Sequence, residues 1–179
     1  RSARAAERRP MTVIHEPAQP AELDDIRSLM RAFLAWHRER HAEDIALIER
    51  YFDQRAFDAE LADLPGKYAR PRGRLLIAYV DGRPAGCVAL RNLKDGICEM
   101  KRMFVPEAYR GRGLGRALAM RVIAEAREAG YRAMRLDTSR RQEEAMRLYQ
   151  RCGFRRIPPY YDLAEDVRDW LVFFELALQ

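Results

Sequence analysis

The chain has 179 residues, of which 48% are hydrophobic, and this size and content can bury the core of one domain without disulfides or a metal. Arginine and lysine total 33 against 27 acidic residues, so the formal charge of +6 favours anionic partners such as phosphates. The three cysteines are widely spaced and no stretch approaches the roughly 18 apolar residues that cross a bilayer, which together predict reduced thiols, a cytoplasmic location and no membrane association.

The first third of the chain is expected to be mostly helical. Residues 1–11 have no hydrophobic period and are predicted to form a disordered leader, which leaves a single domain over residues 12–179. The elements expected in this part are a short strand at 12–14, a helix from 21 to 34 and a second helical region from 45 to 64.

From residue 74 the pattern changes to apolar and β-branched runs that are separated by turns. Asp81-Gly82 and Asp95-Gly96 are strong turn signals, so the three strands around them are predicted to be consecutive and antiparallel. Farther along, a strand, a helix and a strand follow one another, which suggests a parallel right-handed crossover. The elements expected here are strands at 75–80, 85–90, 97–105, 132–138 and 170–178 and helices at 114–130 and 142–151.

The most informative segment is a glycine-rich loop between a predicted strand and a predicted helix, Arg110-Gly111-Arg112-Gly113-Leu114-Gly115-Arg116. Glycines let a backbone approach a ligand closely, free amides at a helix N-terminus attract phosphate, and arginines add counter-charge. A Walker loop is excluded because Gly115-Arg116-Ala117 lacks the required lysine, and a dinucleotide fingerprint is disfavoured because the glycines alternate. The loop is therefore predicted to bind a pyrophosphate.

Two motifs resemble the GNAT superfamily of acetyl-CoA-dependent N-acetyltransferases. Arg110-x-x-Gly113-x-Gly115 is similar to the family's R/Q-x-x-G-x-G/A signature, whose loop binds the pyrophosphate of acetyl-CoA. Ala145-x-x-Leu148-Tyr149-x-x-x-Gly153-Phe154 is similar to its second motif, in which the tyrosine is a frequent general acid. The resemblance implies a single α/β (α+β) domain with a mixed, mostly antiparallel central sheet, a parallel splayed strand pair and flanking helices.

The resemblance also implies which residues hold acetyl-CoA, and it implies no metal. Backbone groups of the splayed central strand bind the pantetheine arm in the family. Gln142 stands seven residues before Tyr149, where many members have asparagine, so the chain departs from the family there. The implied cofactor-binding residues are Met103, Phe104, Val105, Arg110, Gly111, Arg112, Gly113, Leu114, Gly115, Arg116, Gln142, Ala145 and Tyr149.

Acetyl transfer to an amine needs a neutral nitrogen, a donor to the carbonyl oxygen and a proton for the departing thiolate. We expect a backbone amide near Phe104 or Val105 to polarise the carbonyl. The resemblance makes Tyr149 the catalytic acid, with core packing as the alternative role. It makes Glu99 the candidate base, because several members use a glutamate on this strand. A surface carboxylate that balances a neighbouring cation, with water as the base, is the alternative for Glu99.

Acceptor contacts are expected from the first helix and from the loop after the second motif. These substrate-binding candidates are Trp36, His37, Tyr160 and Tyr161, and a packed loop is the alternative role of the two tyrosines. His37 and His41 share a helix face, but the string between them lacks the zincin spacing and a third ligand. A solvated helix face is therefore expected there instead of a metal site.

The sequence thus predicts an N-acetyltransferase that moves an acetyl group from acetyl-CoA directly to a primary amine of a small-molecule acceptor. Two alternatives stay open. One is a non-catalytic acyl-CoA-binding sensor with the same fold, and the other is a basic nucleic-acid-binding module, which the charge favours but no recognised motif supports. Accordingly, no nucleic acid partner is expected, and a homodimer is compatible with the sequence although no residue specifies it.

Overall fold

Seven strands form one mixed sheet within residues 10–179, which are the residues that the computed structural model describes. Residues 1–9 of the predicted leader lie outside the described residues. In chain order the strands are β1 (Thr12–His15), β2 (Arg74–Val80), β3 (Arg83–Lys94), β4 (Ile97–Phe104), β5 (Ala133–Ser139), β6 (Arg155–Ile157) and β7 (Leu171–Ala177). Across the sheet their order is β1-β2-β3-β4-β5-β7-β6, and β4 and β5 are its parallel pair.

Helices cover both faces of this sheet. They are α1 (Pro20–Arg40), α2 (Ile45–Tyr51), α3 (Gln54–Asp63), α4 (Leu114–Glu128), α5 (Glu143–Arg151) and α6 (Glu165–Trp170), with short 3₁₀ turns at Ala42–Asp44, Gly66–Tyr68 and Glu107–Tyr109. Within residues 10–179, no helix is both long enough and apolar enough to cross a membrane. The sheet and helices confirm the mixed, mostly antiparallel fold that the sequence predicts.

Strand alternation divides the core into two layers. On β2, Leu76 and Ala78 face the layer under α4, whereas Leu75 and Ile77 face the layer under α1, α2 and α3. This is the pattern of a strand that is buried on both sides, because successive side chains point to opposite faces. The sheet is therefore a central layer between two helical layers.

The parallel pair separates soon after it forms. Pairing between β4 and β5 ends at Glu99 and Arg135, although β4 continues to Phe104 and β5 to Ser139. Backbone groups of both strands beyond this point are therefore not paired with each other. This confirms the splay expected from the sequence and opens a gap in the middle of the sheet.

A β-bulge in β4 lies at the splay. Cys87 on β3 is opposite Phe104 and Ala89 is opposite Lys101, so β4 has one more residue than β3 in this interval. Within it, Arg102 has a φ of +55°, a left-handed conformation that is uncommon for a residue other than glycine. The bulge bends β4 away from the regular ladder just before the end of the strand.

The elements predicted from the sequence are confirmed except near the C-terminus. A single final strand was expected at 170–178, but β6 and α6 precede β7, and Trp170 ends α6 instead of starting the strand. Both missed elements are short, since β6 has three residues and α6 has six. Periodicity cannot identify elements of this length. The helical region at 45–64 also divides, because Asp53 caps α3 by accepting a hydrogen bond from the Ala56 amide.

Candidate active site

A cleft of about 1240 Å³ lies at the open end of the splay. Its walls come from α1, the end of β4, the loop before α4, and α5. Most of the residues that the sequence assigns to cofactor binding line it, namely Met103, Phe104, Val105, Arg110, Gly111, Gly115, Gln142, Ala145 and Tyr149. The structure therefore brings together the end of the central strand, the glycine-rich loop and the second motif.

The glycine-rich loop ends at the N-terminus of α4. Gly111 and Gly113 have φ values of +74° and +80°, and a Cβ added to either would meet nothing within 4 Å. Glycine is therefore needed there for backbone conformation and not for space. Gly113 accepts the first helical hydrogen bond from Ala117, so the amides at the start of α4 have no helical partner. Free amides and the helix dipole make this a site for an anion.

The other four predicted cofactor residues support the loop from outside the cleft. Leu114 is buried in the core under α4 and fixes the first turn of the helix. Arg112, Gly113 and Arg116 are exposed, so the two arginines are available as counter-charge beside the free amides. None of the four lines the cleft in the described part of the chain.

Arg110 is held in place by the cleft wall. Its Nε donates to the Val105 carbonyl over 2.9 Å, and its guanidinium carbon lies 4.5 Å from the Trp36 ring centroid. The second contact is a cation–π pair. Trp36, which the sequence assigns to the acceptor, therefore lies against the predicted pyrophosphate loop and lines the same cleft.

Tyr149 lies where the cleft meets a smaller cavity inside the splay. Its side chain packs against the rings of Phe154 and Phe174, and the residue is 7% exposed. Burial, and then the negative charge of Asp137, raise the pKa of its phenol well above the usual value. Its hydroxyl makes no hydrogen bond to any side chain or backbone group among residues 10–179. The phenol is therefore protonated at neutral pH.

The smaller cavity has a volume of about 50 Å³, and we call it the splay cavity. It shares Phe33, Met103, Gln142 and Tyr149 with the cleft. Its remaining lining residues are His37, Tyr51, Phe52, Met100, Lys101, Arg102, Leu136, Asp137, Thr138, Ser139, Trp170 and Leu171. The cavity thus joins the cofactor-side cleft to polar groups on the α1 side of the sheet.

Comparison with known proteins identifies the family. The Acetyltransferase (GNAT) family model matches residues 43–154, more than half of the chain. An uncharacterized N-acetyltransferase of Schizosaccharomyces pombe is 35% identical over 144 residues, which are 79% of this chain and 82% of that protein. The chain belongs to the GNAT acetyltransferase family. It is accordingly an acetyltransferase that uses acetyl-CoA as its acyl donor.

Solved structures support the same fold for the acetyltransferase. A GNAT-family acetyltransferase of Staphylococcus aureus matches with a TM-score of 0.73 and 20% identity, over 94% of this chain and 100% of that one. PaiA N-acetyltransferase of Thermoplasma acidophilum, solved in complex with coenzyme A, matches with a TM-score of 0.69 and 15% identity, over 93% and 99% of the two chains. At this identity the likeness concerns the fold.

Glu99 is enclosed by hydrogen-bond donors on the α1 side of the sheet. It is fully buried, which corrects the alternative that it is a surface carboxylate. Arg91 Nε lies 2.5 Å from one carboxylate oxygen and the Tyr160 hydroxyl donates to the other over 2.6 Å. Its neighbours Cys98 and Met100 face the opposite layer, as strand alternation predicts. Among residues 10–179, Glu99 lines neither the cleft nor the splay cavity.

Asp137 is the carboxylate that borders the splay cavity. It accepts hydrogen bonds from the hydroxyls of Tyr51 and Tyr161, and Lys101 Nζ lies 3.2 Å from it. Burial alone would raise the pKa of Asp137, but the Lys101 ammonium and the two hydroxyls outweigh burial and hold that pKa below its usual value. Asp137 is therefore an ionised group beside Tyr149.

The sequence did not identify Asp137, Lys101 or Tyr51. Each is ordinary in its own element. Lys101 on β4 and Asp137 on β5 meet because the two strands are neighbours, and Tyr51 reaches them from the end of α2. Alternation on β4 does place Lys101 on the same face as Glu99, and this is the one signal that was available. The two tyrosines expected to contact the acceptor, Tyr160 and Tyr161, donate to Glu99 and Asp137.

His37 and His41 are buried, with 2% and 8% exposure, so the expected solvated helix face is wrong. The charged residues between them face outward, while the two rings turn toward an aromatic cluster that includes Trp36 and Trp170. His37 Nε2 lies 2.9 Å from the side-chain nitrogen of Gln142. Burial, and then the nearby His41, lower the pKa of His37 to about 4. In residues 10–179, no three His, Cys, Asp or Glu side chains are arranged to hold a metal.

Replacing His37 is expected to change how stability depends on pH. Because its pKa is 6.5 in a model peptide and about 4 in the folded protein, the unfolded chain binds a proton in this range that the folded chain does not. Stability therefore falls as the pH drops from about 6.5 to about 4, by up to about 3 kcal/mol. His37→Gln removes this titration. Urea unfolding at pH 7 and pH 4.5 should show the variant gaining about 2 kcal/mol relative to the wild type at the lower pH. If the difference in unfolding free energy between variant and wild type is the same at both pH values, the lowered pKa of His37 is refuted.

Proposed function

We propose that this acetyltransferase transfers the acetyl group of acetyl-CoA directly to a primary amine of a small-molecule acceptor. The proposal rests on the position of Tyr149, whose buried and protonated phenol lies at the junction of the cleft and the splay cavity. A proton donor at that junction suits a reaction in which a thiolate leaves on the cleft side and a nucleophile approaches from the other side.

The residues of the cleft fit acetyl-CoA. We assign the pyrophosphate to the free amides at the start of α4, with Arg112 and Arg116 as counter-charge. Backbone groups between Met103 and Val105 would hold the pantetheine arm, although Arg110 already occupies the Val105 carbonyl. Acetyl-CoA supplies an acyl thioester, which an amine can attack.

Two groups of the chain would lower the barrier to transfer. A backbone amide near Phe104 or Val105 donates a hydrogen bond to the carbonyl oxygen as negative charge develops there. As the new C–N bond forms and the C–S bond breaks, the phenol of Tyr149 donates its proton to sulfur. The proton that leaves the amine passes to water and restores the phenol, which balances the reaction.

Carboxylates on the acceptor side would assist the amine. Asp137 stays ionised and borders the splay cavity, so it can attract an ammonium group and accept a hydrogen bond from the nitrogen as the proton leaves. Glu99 was the base expected from the sequence. We propose that it acts at one remove, because it contacts Lys101 over 3.6 Å and Lys101 lines the cavity.

The two carboxylates can be separated by their amide variants. Asp137→Asn is expected to lower kcat about fivefold or more, because the amide keeps the shape but loses the charge beside the nitrogen. Glu99→Gln is expected to lower it less. Both variants are compared by initial rates at saturating acetyl-CoA, with melting temperature as the control for folding. A larger loss in Glu99→Gln would make Glu99 the base and reject the role given to Asp137.

An acceptor screen tests the proposed function. Release of the CoA thiol is followed spectroscopically with polyamines, amino acids, aminoglycosides and peptides with free N-termini, each against a blank without acceptor. We expect one class of small amine to release thiol above the blank in proportion to enzyme. If acetyl-CoA stabilises the protein while no amine releases thiol, the chain is a sensor and the proposal fails.

We also propose that the reaction takes place in the cytoplasm. Cys87 and Cys98 are buried free thiols, which suits the reducing conditions of the cytoplasm. Detection of the protein in the cytosolic fraction of its native cells would support this location, and detection in a secreted fraction would oppose it.

A further inference from the structure

The bulge in β4 depends on an uncommon backbone conformation. Arg102 has a φ of +55°, and a side-chain-bearing residue in the left-handed region costs about 1–2 kcal/mol relative to the right-handed one. Such a conformation persists only where the surrounding structure imposes it. Arg102 is the first of the two residues that form the bulge, directly before Met103, Phe104 and Val105, which line the cleft.

Glu60 on α3 holds the side chain of Arg102. Arg102 Nε lies 2.7 Å from one oxygen of the Glu60 carboxylate and its terminal nitrogen lies 2.9 Å from the other. The guanidinium also stands 5.2 Å and 5.4 Å from the ring centroids of Phe52 and Phe57. Two parallel hydrogen bonds and two rings fix the planar group in position and in orientation.

Glu60 itself is fixed by further donors. The Tyr68 hydroxyl donates to it over 2.8 Å and Lys67 Nζ lies 2.7 Å away. Burial alone would raise the pKa of Glu60, but its contacts with Arg102 outweigh burial and lower the pKa to about 2. The ion pair is therefore charged at neutral pH. It connects α3 to β4 next to the splay.

The backbone of the β4 bulge is also closely packed against the neighbouring strand β3. A Cβ added to Gly86 on β3 would lie 3.0 Å from the Phe104 carbonyl oxygen and 2.9 Å from Leu118 Cδ1. The Cys87 thiol donates to the Arg102 carbonyl over 3.4 Å. The bulge is thus fixed by β3 on one side and by Glu60 on the other.

We propose that the Glu60–Arg102 pair is a positioning device that holds the β4 bulge, and thereby aims the backbone amides that follow it at the reacting carbonyl group. Both are positioning residues, since neither is assigned a contact with the acyl group. The inference rests on the proposed function for the identity of that carbonyl. The proposal gives α3 a part in catalysis, although α3 belongs neither to the glycine-rich loop nor to the second motif.

Comparing alanine with glycine at position 102 separates backbone geometry from packing. Arg102→Ala and Arg102→Gly remove the same guanidinium contacts, but glycine adopts a positive φ without cost and alanine does not. Arg102→Ala is therefore expected to lower kcat about tenfold, as a shift of about 1.4 kcal/mol in the bulge equilibrium implies. Arg102→Gly is expected to retain a clearly larger fraction of kcat. A merely structural role predicts equal loss, or greater loss for glycine.

A spectroscopic measurement without turnover tests the same point. The infrared carbonyl stretch of bound ¹³C-acetyl-CoA, taken without acceptor, reports how strongly the carbonyl is polarised. We expect a shift to lower frequency in the wild type and in Arg102→Gly, and a smaller shift in Arg102→Ala. Arg74→Ala is the matched control, because it breaks a buried ion pair that does not line the cleft. In that pair Arg74 Nε lies 2.9 Å from the Glu125 carboxylate. The substitution should lower stability without changing the carbonyl shift.

The outcomes distinguish this inference from the proposed function. A polarised carbonyl that depends on residue 102, in a protein that acetylates no amine, would support the device and reject the function. Equal kcat and equal carbonyl shift in the wild type and Arg102→Ala would overturn the device. If Arg102→Ala does not fold, Glu60→Gln is measured in its place, with the same reduced shift expected and an unchanged shift and kcat counting against the proposal.

Discussion

Tyr149→Phe is expected to lower turnover about 10²-fold, because a positioned general acid contributes about 10² to 10⁴ in rate. The ring contacts with Phe154 and Phe174 remain, and the hydroxyl makes no hydrogen bond within the described chain, so the melting temperature should stay near that of the wild type. The binding of acetyl-CoA should also change little. The measurement is kcat at saturating acetyl-CoA, combined with a binding isotherm for the cofactor.

Tyr131→Phe provides the matched control for this variant. Tyr131 is also buried, with 5% exposure, and its hydroxyl donates to the Arg72 carbonyl over 2.6 Å. Its loss should cost about 1 kcal/mol of stability and leave turnover unchanged. Full turnover in Tyr149→Phe, measured where chemistry limits the rate, would show that water or another group protonates the thiolate.

Gly113→Val is expected to weaken acetyl-CoA binding by at least about 10²-fold, since two lost charge-assisted hydrogen bonds correspond to about 3 kcal/mol or more. Gly113 is the N-cap of α4 with a φ of +80°, and a β-branched residue there would displace the amides that follow. The measurement is the shift in melting temperature on adding acetyl-CoA, which should disappear.

Gly82→Val is the control for backbone strain alone. Gly82 has a φ of +75° in the turn between β2 and β3, and its Cβ position is equally open. Both variants should therefore lose comparable stability in the absence of ligand, while Gly82→Val keeps the full response to acetyl-CoA. An unchanged cofactor affinity in Gly113→Val would remove the loop from the binding site.

Local sequence signals were sufficient to predict the glycine-rich loop and the second motif, several of whose residues line the cleft. The loop from Arg110 to Arg116 is continuous in the chain, and its glycines act through their own backbone conformation. The second motif lies within α5 and the turn after it. Turn signals likewise placed β2, β3 and β4 side by side. In each case the residues that specify the structure are close together in the sequence.

The splay cavity depends on contacts between distant residues, and the sequence could not provide them. Tyr51 and Asp137 are 86 residues apart and Glu60 and Arg102 are 42 apart, yet each pair is joined by a hydrogen bond. Whether a charged residue can be buried depends on a partner that neutralises it. Which residue becomes that partner depends on how the strands and helices are arranged in the fold. The prediction that His37 and His41 are solvated was wrong for the same reason. Their charged neighbours suggested solvent, whereas the fold surrounds them with aromatic rings.

Product analysis with isotope-labelled acetyl-CoA tests whether the acetyl group passes directly to the amine. The acceptor found in the screen is incubated with enzyme and acetyl-CoA carrying ¹³C in the acetyl group, and the products are examined by mass spectrometry and NMR. We expect one labelled acetyl group on the amine nitrogen for each CoA thiol released, with no label remaining on the protein. Thiol release matched by free labelled acetate, or a label that accumulates on the protein before it reaches the amine, would contradict direct transfer.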